Sequence, residues 1–294
     1  MSLHDVIAHA ITQATGETFE PRDRRGVSGG CINSAEVLED GELRYFVKMN
    51  DAARLDMFEA EAAGLAEIAA SNSVRVPLPV CTGRHEGRAF LVLEYLDLGS
   101  GGGKSEQRLG RRLAALHRIT HTRFGWQRDN TIGSTPQINT EEADWPRFYR
   151  EHRLRYQLQL AADNGYGGSL QTHGERLLER LSWFFSSYRP GPSLLHGDLW
   201  GGNHGALADG TPVIFDPAVY YGDREADLAM TELFGGFGSG FYAAYRETWP
   251  LDPGYPVRKD LYNLYHVLNH LNLFGGGYRG QAEAMIGRLL AQAS

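Results

Sequence analysis

Residues 195–203 read LHGDLWGGN, and VIFDPA follows at 213–218. His196 stands two residues before Asp198, Asn203 stands five after it, and Asp216 closes an apolar run. Taken singly, each reads as a turn or a strand end, because Asp and Asn favour both. In this order they make an H-x-D-x-x-x-x-N loop, a short hairpin and a strand-terminal carboxylate, the parts that phosphoryl transfer needs. A carboxylate at Asp198 can accept or orient a hydroxyl proton. The amide oxygen of Asn203 and the carboxylate of Asp216 are hard oxygen ligands suited to Mg2+.

Such chemistry also needs groups that hold a phosphate donor. VSGGCIN at 27–33 offers Gly29 and Gly30, whose backbone N–H groups can approach phosphate oxygens. By itself a glycine pair before a strand is only a turn. Lys48 lies inside the strand-like YFVKMN, where an unpaired ammonium is costly. The following helix, DMFEAEAAGLAEIAA, supplies Glu59 and Glu61. Leu65 and Ile68 put Glu61 near the buried face, so Glu61 is the expected partner and Glu59 the fallback.

Outward from these motifs, the 294-residue chain has the composition of a globular protein. Its net charge of −7 excludes a nucleic-acid surface built on bulk basicity. No apolar run has the length of a membrane span, and the first residues show no signal-peptide pattern. Ser2 and Asp5 instead suggest the capping box of a first helix. Two cysteines are too few for a disulfide framework, which points to a reducing cytoplasm. Cys31 reads by default as an inert small residue; if the glycine segment covers phosphates, the positive field there would lower its thiol pKa, and a redox-sensitive thiol is the alternative reading.

SAEVLED and RYFVKMN read as strands of a hairpin with Asp-Gly at its turn, and FLVLEYL as a buried strand. GSGGGKSE at 99–106 is the most flexible composition. Helices dominate beyond it: EQRLGRRLAALHRI, DWPRFYREHRLRYQLQLAADNG, GERLLERLSWFFSSY and RKDLYNLYHVLNHLNLF, with the hairpin NHGALADGTPVIFD between them. The stretch 121–150 reads as a polar, loop-like insert. The expected fold class is α+β, with a small N-terminal part (1–97), a connector (98–106) and a mainly helical C-terminal part (107–294).

Three features are set aside. GSGGGKS fails as a phosphate-binding loop because Leu98 stands where its first glycine should be. His266 and His270 have zinc-protease spacing, but Val267 replaces the necessary glutamate. GDREADLAM reads as a capped helix start, with Asp227 a buried acceptor for backbone N–H groups of the loop. Asp216 is followed by Pro-Ala, and ten residues separate it from Asp227 with no room for a peptide-docking activation segment. The acceptor is therefore expected to be a small molecule.

With these parts assembled, the chain resembles the fructosamine kinase (ketosamine-3-kinase) family, within the wider group of aminoglycoside and choline phosphotransferases. GGCIN, FVKMN, EAEAAGLAEI, LVLEYL, LLHGDLWGGN, VIFDPAVYYGDREADLAMTELFGGF and YNLYHVLNHLNLFGGGY carry the resemblance. It implies a bilobal protein-kinase-like fold that uses ATP and Mg2+ to phosphorylate O3 of a fructosamine or ribulosamine, free or protein-bound. Loss of the unstable 3-phosphate then frees the amine. The resemblance further implies Asp198 as catalytic base, Asn203 and Asp216 as Mg2+ ligands, and Lys48 with Glu61 on the donor phosphates. Adenine would lie along the backbone of Glu94, Tyr95 and Leu96, and Trp200 beside the acceptor. His196 and Asp227 would support the loop. Tyr220 and Tyr221 also suit a sugar-like ligand. Gly202 departs from the small polar residue expected there. The rivals are a kinase for an aminoglycoside or amino alcohol, and a nucleotide-binding pseudokinase.

Overall fold

The computed structural model describes residues 1–27, 32–99 and 101–293; Gly29, Gly30 and Cys31 lie outside it. The chain opens with α1 (Leu3–Thr15), and both bonds of its capping box are present: Asp5 N–H donates to Ser2 Oγ at 3.2 Å and Ser2 N–H to Asp5 Oδ2 at 2.7 Å. Five strands follow: β1 (Asp23–Val27), β2 (Ser34–Asp40), β3 (Leu43–Asp51), β4 (Pro79–His85) and β5 (Arg88–Glu94). They form one antiparallel sheet in the order β1-β2-β3-β5-β4. Helix α2 (Leu55–Ala70) lies between β3 and β4 in the chain. The glycine segment thus follows a strand, β1, rather than preceding the first one.

FLVLEYL is apolar on both faces because the sheet is covered on both. Phe90 and Val92 join Ile7, Ile11, Leu38 and Val47 under α1, while Leu91 and Leu93 join Phe58, Leu65 and Ile68 of α2. The period of two along β3 puts Val47 toward α1 and Lys48 toward α2. Tyr95 and Leu96 lie beyond the end of β5.

Helix α3 (Gly103–His117) begins inside the glycine-rich stretch, so Gly103–Glu106 form its first turn and the chain between β5 and α3 is 95–102. Gly99 pairs with Ala206 in both directions, at 2.9 and 3.0 Å, and Lys104 is exposed. The insert is not a loop throughout. It contains the hairpin β6 (Asn130–Ile132) and β7 (Thr135–Gln137), whose Asn130 and Gln137 side chains are buried because they bond backbone carbonyls. Asn130 Nδ2 donates to Val219 O at 2.7 Å and Gln137 Nε2 to Ala218 O at 3.1 Å.

Helix α4 (Trp145–Tyr149) continues through a wide π-helical turn (Arg150–Arg155) into α5 (Tyr156–Asp163). That turn carries Arg153 fully inside, 4.2 Å over Tyr220 and 4.7 Å over Phe148. Then come α6 (Ser169–Arg180), β8 (Ser193–Leu195), β9 (His204–Ala206), β10 (Pro212–Ile214), β11 (Tyr220–Gly222), α7 (Arg224–Thr231), α8 (Ser239–Thr248), α9 (Tyr255–Phe274) and α10 (Arg279–Gln292). Helices α8 and α10 add to those that periodicity singles out. Among the described residues, no helix is long and apolar enough to cross a membrane.

Candidate active site

β8 delivers the chain to the loop that begins at His196, and β11 pairs antiparallel with β8 alongside. Gly197 has φ +83°, and a Cβ there would stand 2.0 Å from Ala218 O, so only glycine fits. The buried His196 ring ties the loop at both nitrogens. Its Nδ1 accepts from Asp198 N–H at 3.2 Å, which leaves the Nε2 proton for Phe215 O at 2.9 Å. Burial lowers its pKa and keeps it neutral.

Asp227 lies beneath the loop and is fully buried. It accepts from His196 N–H (2.7 Å), Gly197 N–H (2.8 Å) and His117 Nε2 (3.1 Å). His117 Nδ1 in turn meets Tyr245 OH at 2.8 Å. Burial acts to raise the Asp227 pKa, but the His117 bond and charge and the other donors outweigh it and hold the carboxyl below its ordinary value. A depressed carboxyl stabilises the fold fully above the unfolded value of about 3.9 and loses that contribution as pH falls through its own lower value. Asp227→Ala leaves three buried donors unpaired. It is expected to cost about 3 kcal/mol or more, read from the shift of the urea unfolding midpoint at neutral pH.

The remainder of GDREADLAM is also structural. Asp223 caps α7 by accepting Glu225 N–H at 3.0 Å, and Glu225 forms a buried ion pair with Arg258 at 2.7 Å. Arg258 is 33 residues away, and nothing in the local pattern points to it.

Asp198 is partly buried. Burial, then the negative charges of Asp216 and Asp227, push its carboxyl up to about 7. Asn203 Nδ2 donates to Asp198 O at 2.9 Å, turning the amide nitrogen toward the loop and leaving Oδ1 for another partner. Asn203 O accepts Phe215 N–H at 3.1 Å, which ties this residue to the chain just before Asp216. Asp216 has φ +57°, a left-handed conformation that Asp tolerates better than most residues and that recurs at functional sites.

Lys48 joins the two parts of the molecule. Its Nζ lies 2.5 Å from Glu61 Oε1 and 2.6 Å from Asp216 Oδ1. Burial would lower the Lys48 pKa, but Asp216 and Glu61 outweigh it and raise it above the ordinary value. Burial raises the Glu61 pKa despite the facing ammonium. Glu59 points elsewhere, 3.8 Å from Arg128 and partly exposed.

Trp200 is 40% exposed, and its ring lies over Gly202, where a Cβ would stand 2.3 Å from the indole. The departure at Gly202 thus makes room for the tryptophan. The Glu94 side chain is bound to Arg75 and to Leu78 N–H, so it ties the end of β5 to the chain that runs from α2 into β4. Tyr220 is buried against Arg153, and Tyr221, partly exposed, donates its OH to Glu67 Oε1 at 2.7 Å. His266 is buried in α9, and His270 is turned back on His266 O at 2.8 Å.

Among the described residues, no three His, Cys, Asp or Glu are grouped as a metal cage. Mg2+ is commonly held by one or two protein oxygens while phosphates and water complete its shell. The free Oδ1 of Asn203 and the second oxygen of Asp216, a half-exposed side chain, fit that role.

A sheet-and-helix lobe with a buried lysine–glutamate pair, joined to a helical lobe that carries an aspartate loop, defines a protein-kinase-like phosphotransferase. An aminoglycoside phosphotransferase shares this fold over 98% of the chain, with a TM-score of 0.60 at 13% identity. A crystal structure of a "putative fructosamine-3-kinase" from Haemophilus somnus 129PT superposes with a TM-score of 0.89 at 31% identity, covering 97% of this chain and 96% of that one. The fructosamine kinase family model matches residues 3–292, and the chain belongs to that family. A Synechocystis protein named "probable ketoamine kinase" is 51% identical over 285 residues, 97% of this chain and 96% of its own. A chloroplastic protein-ribulosamine 3-kinase of Oryza sativa subsp. indica is 45% identical over 263 residues, 88% of this chain and 76% of its own.

Proposed function

We propose that this protein transfers the γ-phosphoryl group of ATP to the 3-hydroxyl of ketosamines of the fructosamine and ribulosamine type. The observation that carries this is the meeting of Lys48, Glu61 and Asp216 beside the Asp198–Asn203 loop, in a chain of the fructosamine kinase family. The ketosamine acceptor follows the names of the relatives.

Lys48, held by Glu61, neutralises donor phosphate oxygens. Asn203 Oδ1 and Asp216 hold Mg2+, which supplies charge neutralisation on the phosphates. Asp198 orients the acceptor hydroxyl and takes its proton as the new O–P bond forms and the bond from the γ-phosphorus to the bridging oxygen of the departing ADP breaks. Its elevated pKa makes it a better base than an ordinary carboxylate, and His196 and Asp227 fix its loop. The exposed face of Trp200 stacks on the sugar. The backbone from Glu94 through Tyr95 to Leu96 receives adenine.

The test is ATP consumption with Mg2+ over fructosyl-lysine, ribulosyl-lysine, kanamycin, choline and no acceptor. Turnover confined to the two ketosamines is the expected result. Turnover on kanamycin or choline would overturn the substrate. Tight ATP binding with no turnover on any acceptor would favour a pseudokinase.

A further inference from the structure

Helix α2 does more than carry Glu61. Three of its positions meet the chain that follows β10. At one end Glu61 reaches Asp216 through Lys48. In the middle, a Cβ on Gly64 would stand 2.9 Å from Val219 Cγ2, so helix and segment are in close contact there. At the other end the Glu67 carboxylate is clasped by two side chains of the C-terminal lobe. Tyr221 OH donates to Oε1 at 2.7 Å, and Trp126 Nε1 to Oε2 at 2.5 Å.

Both donors are firmly placed. Tyr221 and Gly125 exchange backbone bonds at 2.8 and 2.9 Å, and Trp126 N–H donates to Asn139 O at 2.9 Å. Tyr221 belongs to β11, which pairs with β8, the strand that runs into His196. The clasp is therefore built on the same strands as the aspartate loop. A cavity of about 470 Å3 opens beside it, lined by Ala63, Ala66, Glu67, Trp126 and Tyr221 among others. Space at that end lets the helix shift if the clasp is released.

We infer that Glu67 is a positioning residue for phosphoryl transfer: held by Trp126 and Tyr221, it keeps α2 seated on the C-terminal lobe so that Glu61 stays on Lys48. This rests on the reading of Lys48 as the ligand of the donor phosphates. Charge-assisted bonds are among the stronger hydrogen bonds, so losing both has a measurable effect on nucleotide binding.

The experiment compares wild type, Glu67→Ala, Glu67→Gln and Tyr221→Phe, each also in a Glu61→Ala background. Affinity for Mg·ADP is measured by calorimetry, kcat and KM for ATP by turnover, and folding by thermal midpoint. Glu67→Ala is expected to weaken nucleotide affinity and kcat/KM for ATP by roughly 10-fold, with KM for the acceptor unchanged. Tyr221→Phe and the near-isosteric Glu67→Gln should lose about 3-fold each, because one bond survives. In the Glu61→Ala background the Glu67→Ala penalty should disappear, since both residues act through Lys48. A penalty that multiplies undiminished in that background, or folded variants with unchanged nucleotide affinity, would overturn the positioning role. If the wild type itself bound no Mg·nucleotide, the phosphotransferase reading would fail first and this inference with it.

Discussion

Asp198→Asn leaves Mg·nucleotide binding within a few-fold of wild type and lowers ketosamine turnover by about a thousand-fold. The amide keeps the shape of the side chain and its place in the loop, which rests mainly on backbone bonds to His196, Asp227 and Asn203, the carboxylate itself taking only a long 3.5 Å bond from Asn203 Nδ2. It cannot take a proton. It also removes the negative charge that Asp216 and Asp227 repel, so the variant should fold at least as stably as the wild type. Turnover and calorimetry on the same preparation separate the two effects. A near-native rate in Asp198→Asn would show that this carboxylate is not the base.

Asp216→Ala has the opposite signature. Lys48 keeps Glu61 at 2.5 Å, so the buried ammonium is not left unpaired and the fold survives. On the proposed assignment, the cation would lose one of its two protein oxygens. Affinity for Mg·ADP is expected to fall by about 100-fold, the larger end of what a charged ligand contributes. Binding of ADP in EDTA should change much less. If both conditions weakened equally, the role of Asp216 would lie in holding Lys48 rather than the metal.

The aspartate loop was legible because its determinants are local. The intervals between His196, Asp198 and Asn203 are short, and the bonds that shape the loop run between near neighbours, such as Asp198 N–H to His196 Nδ1 and Asn203 Nδ2 to Asp198 O. The choice of Glu61 over Glu59 also follows from local order, since helical periodicity assigns each to a face. The strand FLVLEYL, the capping box at Ser2 and the hairpin turns at Gly41 and Gly210 belong to the same kind.

What lay beyond reach were polar side chains satisfied from far along the chain. Asn130 and Gln137 look like loop residues, yet they are buried on carbonyls 89 and 81 residues away. Tyr221 reads as a sugar-facing aromatic but is drawn to Glu67 across 154 residues. Composition cannot show such burial, because a polar group enters the interior only where tertiary packing brings it a partner.

The amino-acid sequence by itself determined the strands β2, β3 and β5, the helices with clear periodicity, the aspartate loop and the residue types able to handle phosphate and metal, all properties of near-neighbour spacing. Only the tertiary structure decided that Lys48 and Asp216, 168 residues apart, lie 2.6 Å from each other, and that Glu67, Trp126 and Tyr221 form one clasp. Those meetings depend on how two lobes pack, and burial of apolar surface drives that packing without naming in advance which polar groups will face one another.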